Sequence, residues 1–215
     1  PDRRFETLAR AVSSLRRANS GERFLIFTQY RDTLEFLAEE LGSMFGEKDI
    51  ATLKGGALED KIAAMESFWR EGGARFLIST SAGGEGVNLQ IGKVLFNYDL
   101  PWNPMAVEQR IGRIHRYGQQ ETVQVYNLLA EDTVEERIYG LLEDKLADIA
   151  RSIGKVDDRG QPMEDFRSDI LGLLGSRPDY QDLYKRALME KDYRRTEAEL
   201  ARMLADANRA REALS

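Results

Sequence analysis

Three short and wholly apolar runs, Phe24-Leu25-Ile26-Phe27, Phe76-Leu77-Ile78 and Val94-Leu95-Phe96, set the strongest limit on how this chain folds. A strand with water on one side alternates apolar and polar residues. One with no polar position has to be covered on both faces, as in a parallel sheet held between helices. Strands are therefore expected over residues 24–27, 49–53, 75–79 and 93–98. Another is expected over 122–129, where initial alternation suits a position near one side of the sheet. Helical spacing appears at Phe5, Leu8, Ala9, Val12 and Leu15, stopped by Asn19-Ser20-Gly21, and again at Leu34, Phe36, Leu37 and Leu41. Residues 58–69 read as an amphipathic helix with Ile62, Met65, Phe68 and Trp69 toward the sheet. The fold class is thus α/β, a parallel sheet flanked by helices, with extra N- and C-terminal helices.

Beyond the last strand, Asp132-Thr133 offers a cap to a helix whose stripe is Val134, Ile138, Leu141, Leu142, Leu146 and Ile149. Residues 154–165 read as a linker. Residues 169–174 and 180–214 read as helices, the second charged, with a thin stripe at Leu200, Met203, Leu204 and Ala207. The chain has no cysteine, which excludes a disulfide framework and a thiolate metal site, and with a single histidine zinc or His-based triad chemistry is not expected. No apolar run reaches bilayer length and the first residues lack a signal core, so a cytoplasmic protein with no membrane partner is expected. A net charge of -6 argues against indiscriminate coating of nucleic acid but leaves room for a local basic groove. The first residue is Pro1, and a fragment of a longer protein is expected.

The residues that carry chemistry follow the strands. In open α/β sheets ligands bind beyond the carboxyl ends of strands. Thr28-Gln29-Tyr30 follows the first strand. Lys54-Gly55-Gly56 follows the second, and reads either as a plain turn or as a phosphate contact. Thr80 to Leu89 follows the third, with Gly83, Gly84 and Gly86 bringing backbone amides toward a ligand or forming a flexible loop. Asp99 is followed by Leu100 rather than an acid, and reads as a turn or network residue. Residues 103–116 form the next expected helix, with Pro104 at its start. At 100° per residue Val107, Ile111 and Ile114 share one side, and Gln109, Arg113 and Arg116 the other. Two guanidiniums one turn apart repel, and Gly112 costs about 1 kcal/mol against alanine. An anion between the arginines compensates. A solvated face with Glu108 as partner is the alternative from spacing alone.

QRIGRIHRYGQ, residues 109–119, resembles the last signature motif of helicase superfamily two, most closely that of Swi/Snf-type DNA translocases. Phe27-Thr28-Gln29 is similar to the motif written FSQ in that family. STSAGGEGVNL (79–89) resembles its nucleotide-to-DNA coupling motif, although many relatives carry a basic residue at Ser81. DLPWNP (99–104) and VYNLLAEDTVEERIYGLLEDK (125–145) resemble the segments around the arginine motif, nearest the bacterial branch that includes the RNA-polymerase-recycling ATPase.

The resemblance implies a RecA-like, P-loop NTPase-type lobe at residues 21–151, preceded by a helix over 1–20 and followed by a linker and helical extension over 152–215. It implies that Arg113 and Arg116 are arginine fingers, with Gln109, Gly84, Glu85 and Gly86 toward nucleotide. Gln29, Lys54, Gly55, Thr80, Ser81 and Trp102 are then DNA contacts, and Trp102 has core packing as its other reading. A Walker-type phosphate loop and an acidic pair, which ATP hydrolysis of this kind requires, are absent from these 215 residues. ATP and Mg²⁺ are thus expected to be held mainly by an N-terminal RecA-like lobe. The expected whole is an ATP-hydrolysing, double-stranded DNA translocase, associated with a bacterial or archaeal nucleoid, in which this lobe alone is inactive. A catalytically silent docking module, for instance for RNA polymerase, and a strand-separating helicase are the alternatives.

Overall fold

The computed structural model describes residues 3–80, 89, 92–114, 123–130, 133–189 and 193–214. They fall into two compact units, residues 1–101 with 109–130, and residues 102–108 with 131–215.

The first unit contains α1 (Arg3–Ala18), β1 (Phe24–Thr28), α2 (Arg31–Phe45), a 3₁₀ turn (Glu47–Asp49), β2 (Ile50–Leu53), α3 (Leu58–Trp69), β3 (Phe76–Thr80), β4 (Val94–Asn97) and β5 (Gln124–Asn127). All four strand pairings are parallel, in the order β2-β3-β1-β4-β5. The apolar runs occupy the central strands, where successive side chains feed opposite faces. Phe24, Ile26, Phe76, Ile78 and Phe96 meet Leu8 and Val12 of α1 and Leu34, Leu37 and Leu41 of α2. Leu25, Phe27, Leu77 and Leu95 meet Met65 and Phe68 of α3, together with Leu89 and Ile114. The expected parallel α/β architecture is present. β5 lies at an edge, in keeping with its alternating pattern.

Three expectations need correction. On α3 only Met65 and Phe68 are buried, whereas Ile62 and Trp69 are nearly half exposed. Ile62 and Trp69 lie about 60° and 40° around the helix from Met65, on the side that a narrow seam with the sheet leaves outside. The helix expected over 180–214 is two helices, α7 (Pro178–Ala187) and α8 (Arg194–Leu214). Tyr180, Leu183 and Ala187 would lie roughly half a turn out of phase with Leu200 and Met203 on one continuous helix, yet all five are buried, and Tyr180, Leu183, Leu200 and Met203 share one cluster. Only a break lets both stripes reach it. The boundaries also differ. α1 is packed into the first unit, while α5 (Val134–Ser152) belongs to the second, because its Leu142, Leu146 and Ala150 pack with α6 (Glu164–Gly175), α7 and α8. α6 begins inside the expected linker.

The second unit is tied by charge as well as by its apolar cluster. Thr133 caps α5, its hydroxyl accepting from the Glu136 amide at 3.2 Å. Hydrogen bonds from Arg186 and then Arg195 hold the Glu199 carboxyl below its usual range, and Arg177 does the same for Asp179. The sign follows from linkage: a depressed carboxyl stabilises fully above its unfolded pKa, 4.5 for Glu and 3.8 for Asp, and that support is lost as pH falls through the folded value. Melting of the second unit should therefore hold steady from about pH 8 to 5 and decline below about pH 4.5. A midpoint unchanged down to about pH 3 contradicts these pairings. No helix among the described residues is long and apolar enough to cross a membrane.

Candidate nucleotide and nucleic-acid site

The strand order creates one position suited to ligands. β1 is followed by α2 and leads outward to β2, whereas β4 leads through α4 (Pro104–Gly112) the other way to β5. β1 and β4 are neighbours, so the crevice beyond their carboxyl ends is a topological switch point. A polar network is built there. The Asp99 carboxylate accepts from the Thr28 hydroxyl and from the Gln29 amide, the latter at 2.8 Å. Gln29 Nε2 donates to the Leu100 carbonyl at 3.0 Å. Asp99 is thus the network residue its sequence context indicates.

The centre of this network is Arg110, 3% exposed. Its Nη1 donates to Asn97 Oδ1 at 3.0 Å and to the Asp99 carbonyl at 3.1 Å, and Asn97 Nδ2 donates on to Asn127 Oδ1 at 2.8 Å. The guanidinium lies over the Phe27 ring, 5.4 Å from its centroid. Burial lowers its pKa and the charge of Asp99 opposes that shift, the arrangement expected of a desolvated cation kept beside an anion. Sequence reasoning passed over Arg110, yet a signal was there: it lies about 40° from Ile114 around the helix, on the flank of the apolar stripe. Replacing it with methionine should cost the first unit about 3 kcal/mol, since two buried acceptors lose a charged donor and the Asp99 carboxylate loses a nearby cation. Trp69 fluorescence during denaturant unfolding of a Trp102→Phe background reads this. A loss under about 1 kcal/mol contradicts the role.

α4 starts on Asn103, whose Oδ1 accepts from the Met105 amide at 2.9 Å, with Pro104 in the first turn. Its residues 104–108 fall in the second unit and 109–112 in the first. The helix ends at Gly112 rather than 116, because Arg113 and Ile114 donate back three residues, to Arg110 at 3.3 Å and Ile111 at 3.0 Å, which tightens the last turn. Gln109 is exposed and Arg113 half-buried. The Arg113 carbonyl accepts from the Leu89 amide at 3.2 Å, so the last residue of the glycine-rich motif is bonded to the arginine segment. Glu108, the alternative partner for the arginines, is paired with Arg167 at 2.8 Å.

The other candidates divide as follows. Lys54 is at the end of β2, its Nζ 3.2 Å from Glu35 Oε1. Gly55 and Gly56 have φ of +81° and +112°, which the expected tight turn requires. Thr80 is buried, its hydroxyl 3.4 Å from the Leu53 carbonyl it donates to. Gln29, Lys54, Gly55 and Thr80 thus gather at the carboxyl ends of β1, β2 and β3. Trp102 belongs to the second unit, where its ring lies 6.4 Å from that of Tyr180 beside the apolar cluster, so its packing reading describes it better than a DNA contact does. Ser81, Gly84, Glu85, Gly86 and Arg116 lie outside the described residues.

Residues 3–118 match the model of the helicase conserved C-terminal domain. The chain is 42% identical over 140 residues to the ATP-dependent helicase YqhH of Bacillus subtilis, covering 64% of this chain and 24% of that protein. It is 32% identical over 175 residues to CHROMATIN REMODELING 19 of Arabidopsis thaliana, 78% of this chain and 22% of that one. It is 37% identical over 129 residues to a human SWI/SNF-related regulator of chromatin, subfamily A member 1, 59% of this chain and 12% of that one. The C-terminal part of the Fun30 ATPase domain has a similar fold, with a TM-score of 0.56 at 24% identity over 64% of this chain and 44% of that one. The chain spans about a quarter or less of the length of these curated relatives. With a RecA-like parallel sheet, an arginine segment bonded to a glycine-rich motif, and a domain match over more than half its residues, the chain belongs to the helicase conserved C-terminal domain family, and its relatives include Swi/Snf-related ATPases.

Proposed function

We propose that this chain is the second motor lobe of a Swi/Snf-type, ATP-dependent translocase on double-stranded DNA. The observation that carries the reading is the bond between the Leu89 amide and the Arg113 carbonyl, which ties the glycine-rich motif to the arginine segment. In this reading Arg113 and Arg116 act as arginine fingers, and Gln109, Gly84, Glu85 and Gly86 bind the nucleotide. A planar, permanently charged fork suits the γ-phosphate, where charge builds in the transition state. Among the described residues no three His, Cys, Asp or Glu side chains gather as a metal site. An N-terminal lobe holding ATP and Mg²⁺ completes the reading, in keeping with the greater length of the relatives.

Gln29, Lys54, Gly55 and Thr80 belong to the DNA-facing rim in this reading, with Ser81 as a further DNA contact, gripping phosphates without sequence choice. Arg110 and Asp99 hold that rim and the arginine helix in one frame, so lobe closure on ATP moves both together. The full-length protein should displace a triplex-forming strand from duplex DNA with ATP and fail to open a forked duplex. Opening the fork without displacing the triplex favours a strand-separating helicase. Neither activity, with DNA-independent binding to a protein partner, favours a silent docking module.

A further inference from the structure

At the rim formed by the carboxyl ends of β1 and β2, one carboxylate holds two cations. Glu35 Oε1 lies 3.2 Å from Lys54 Nζ and 3.4 Å from Arg31 Nε. All three side chains are open to solvent, Arg31 at 71%, Glu35 at 49% and Lys54 at 36%. Beside them Tyr30 is 60% exposed and Gly55 has nothing within 4 Å of where a Cβ would stand, so a bulky ligand has room to approach. The cluster carries one net positive charge next to the Gln29 and Gly55 backbone.

We infer that Glu35 is a built-in competitor for DNA phosphate: it occupies Arg31 and Lys54 when no duplex is present and yields them to a phosphate when one docks, which makes Arg31 a further DNA contact. This rests on the proposed reading of the rim as DNA-facing. Ion pairs open to solvent hold weakly, so a phosphate, with the release of its condensed counterions, displaces the carboxylate at little cost. The displaced Glu35 stays charged close to the phosphate and repels it. That repulsion weakens the grip. A motor that must let go of one phosphate and take the next benefits from a contact that is easily surrendered. The Glu35 carboxyl is held below its usual range by hydrogen bonding to Lys54 first, and so remains a charged competitor at neutral pH.

The test is fluorescence anisotropy of a labelled duplex titrated with the protein over about 50 to 200 mM salt. Glu35→Gln keeps the shape and frees both cations. It should tighten binding about three- to tenfold at the low-salt end and steepen the slope of log K against log salt by up to about 0.9, since one negative charge no longer offsets the cations' contact with phosphate. Adding Arg31→Ala to that background should cancel the gain. The change removes only an exposed pair, and loss of structure does not raise affinity. Glu66→Gln on α3, with the same change in net charge, controls for overall attraction. Equal or weaker binding by Glu35→Gln, or an equal gain from Glu66→Gln, overturns the inference while a loss of binding on Lys54→Ala leaves the DNA-facing rim standing. Absence of binding by the protein and by Glu35→Gln alike at about 50 mM salt overturns both.

Discussion

Arg113→Ala in the full-length protein should lower DNA-stimulated ATP turnover by about 10³-fold, with KM for ATP changed far less. An arginine finger is worth roughly 10³ to 10⁵ in rate, about 4 to 7 kcal/mol, because it meets charge that develops only in the transition state. An interaction made only there lowers kcat and kcat/KM together and leaves ground-state binding nearly alone. Arg113 follows the end of α4 and is half-buried, and its backbone is bonded at both ends, to Arg110 and to Leu89. The side chain therefore starts from a fixed point. Arg113→Lys should recover little, since an ammonium lacks the planar fork. Turnover within threefold of the unaltered protein contradicts the assignment. So does a loss that appears entirely in KM.

The largest expected effect on stability lies in the second unit. Arg167 donates to both oxygens of Glu143, at 2.7 Å and 2.6 Å, and through Nε to Glu108 at 2.8 Å. Burial opposes its charge, but the hydrogen bonds and charge of Glu143, and then of Glu108, outweigh it and hold the guanidinium pKa above its ordinary value. Burial, and next the charge of Glu143, push the neighbouring Tyr139 phenol up to about 12. Arg167→Met leaves two carboxylates facing one another with no cation between them. Breaking a largely buried pair from one side costs about 3 to 5 kcal/mol, and in a unit of this size that lowers the melting midpoint by more than about 10 °C. Trp102, the tryptophan of this unit, reports it in a Trp69→Phe background. Adding Glu143→Gln should return part of the loss by removing one stranded charge. A cost below about 1 kcal/mol would mean that solvent screens the triad and that it ties nothing.

The parts of the fold legible in the sequence were those in which one physical demand acted alone. Phe24–Phe27 and Val94–Phe96 had to be covered on both faces, which allowed few alternatives to a central parallel strand. Thr133 ahead of an apolar stripe marked a helix start that its hydroxyl does cap. The break between α7 and α8 was harder to see because no proline or glycine marks it; only the phase slip between Ala187 and Leu200 does. On α3, hydrophobicity and burial part company at Ile62 and Trp69, where residue type says nothing about the width of the packing seam. At the site, Gln29, Lys54, Gly55 and Thr80 were legible as residues after strands, and Arg113 as part of a motif. Arg110 was not, although it is the most deeply held of them. A charged residue inside a charged motif reads as surface until a structure supplies Asn97, Asp99 and the Phe27 ring to receive it.

The account stands on an ATP site made from two pieces, of which this chain brings the cationic one. Steady-state ATP turnover, measured side by side for the isolated chain and for the full-length protein with and without duplex DNA, bears on it most directly. The expected result is turnover at background level for the chain alone and DNA-stimulated hydrolysis by the whole. Vigorous hydrolysis by these 215 residues alone would contradict it.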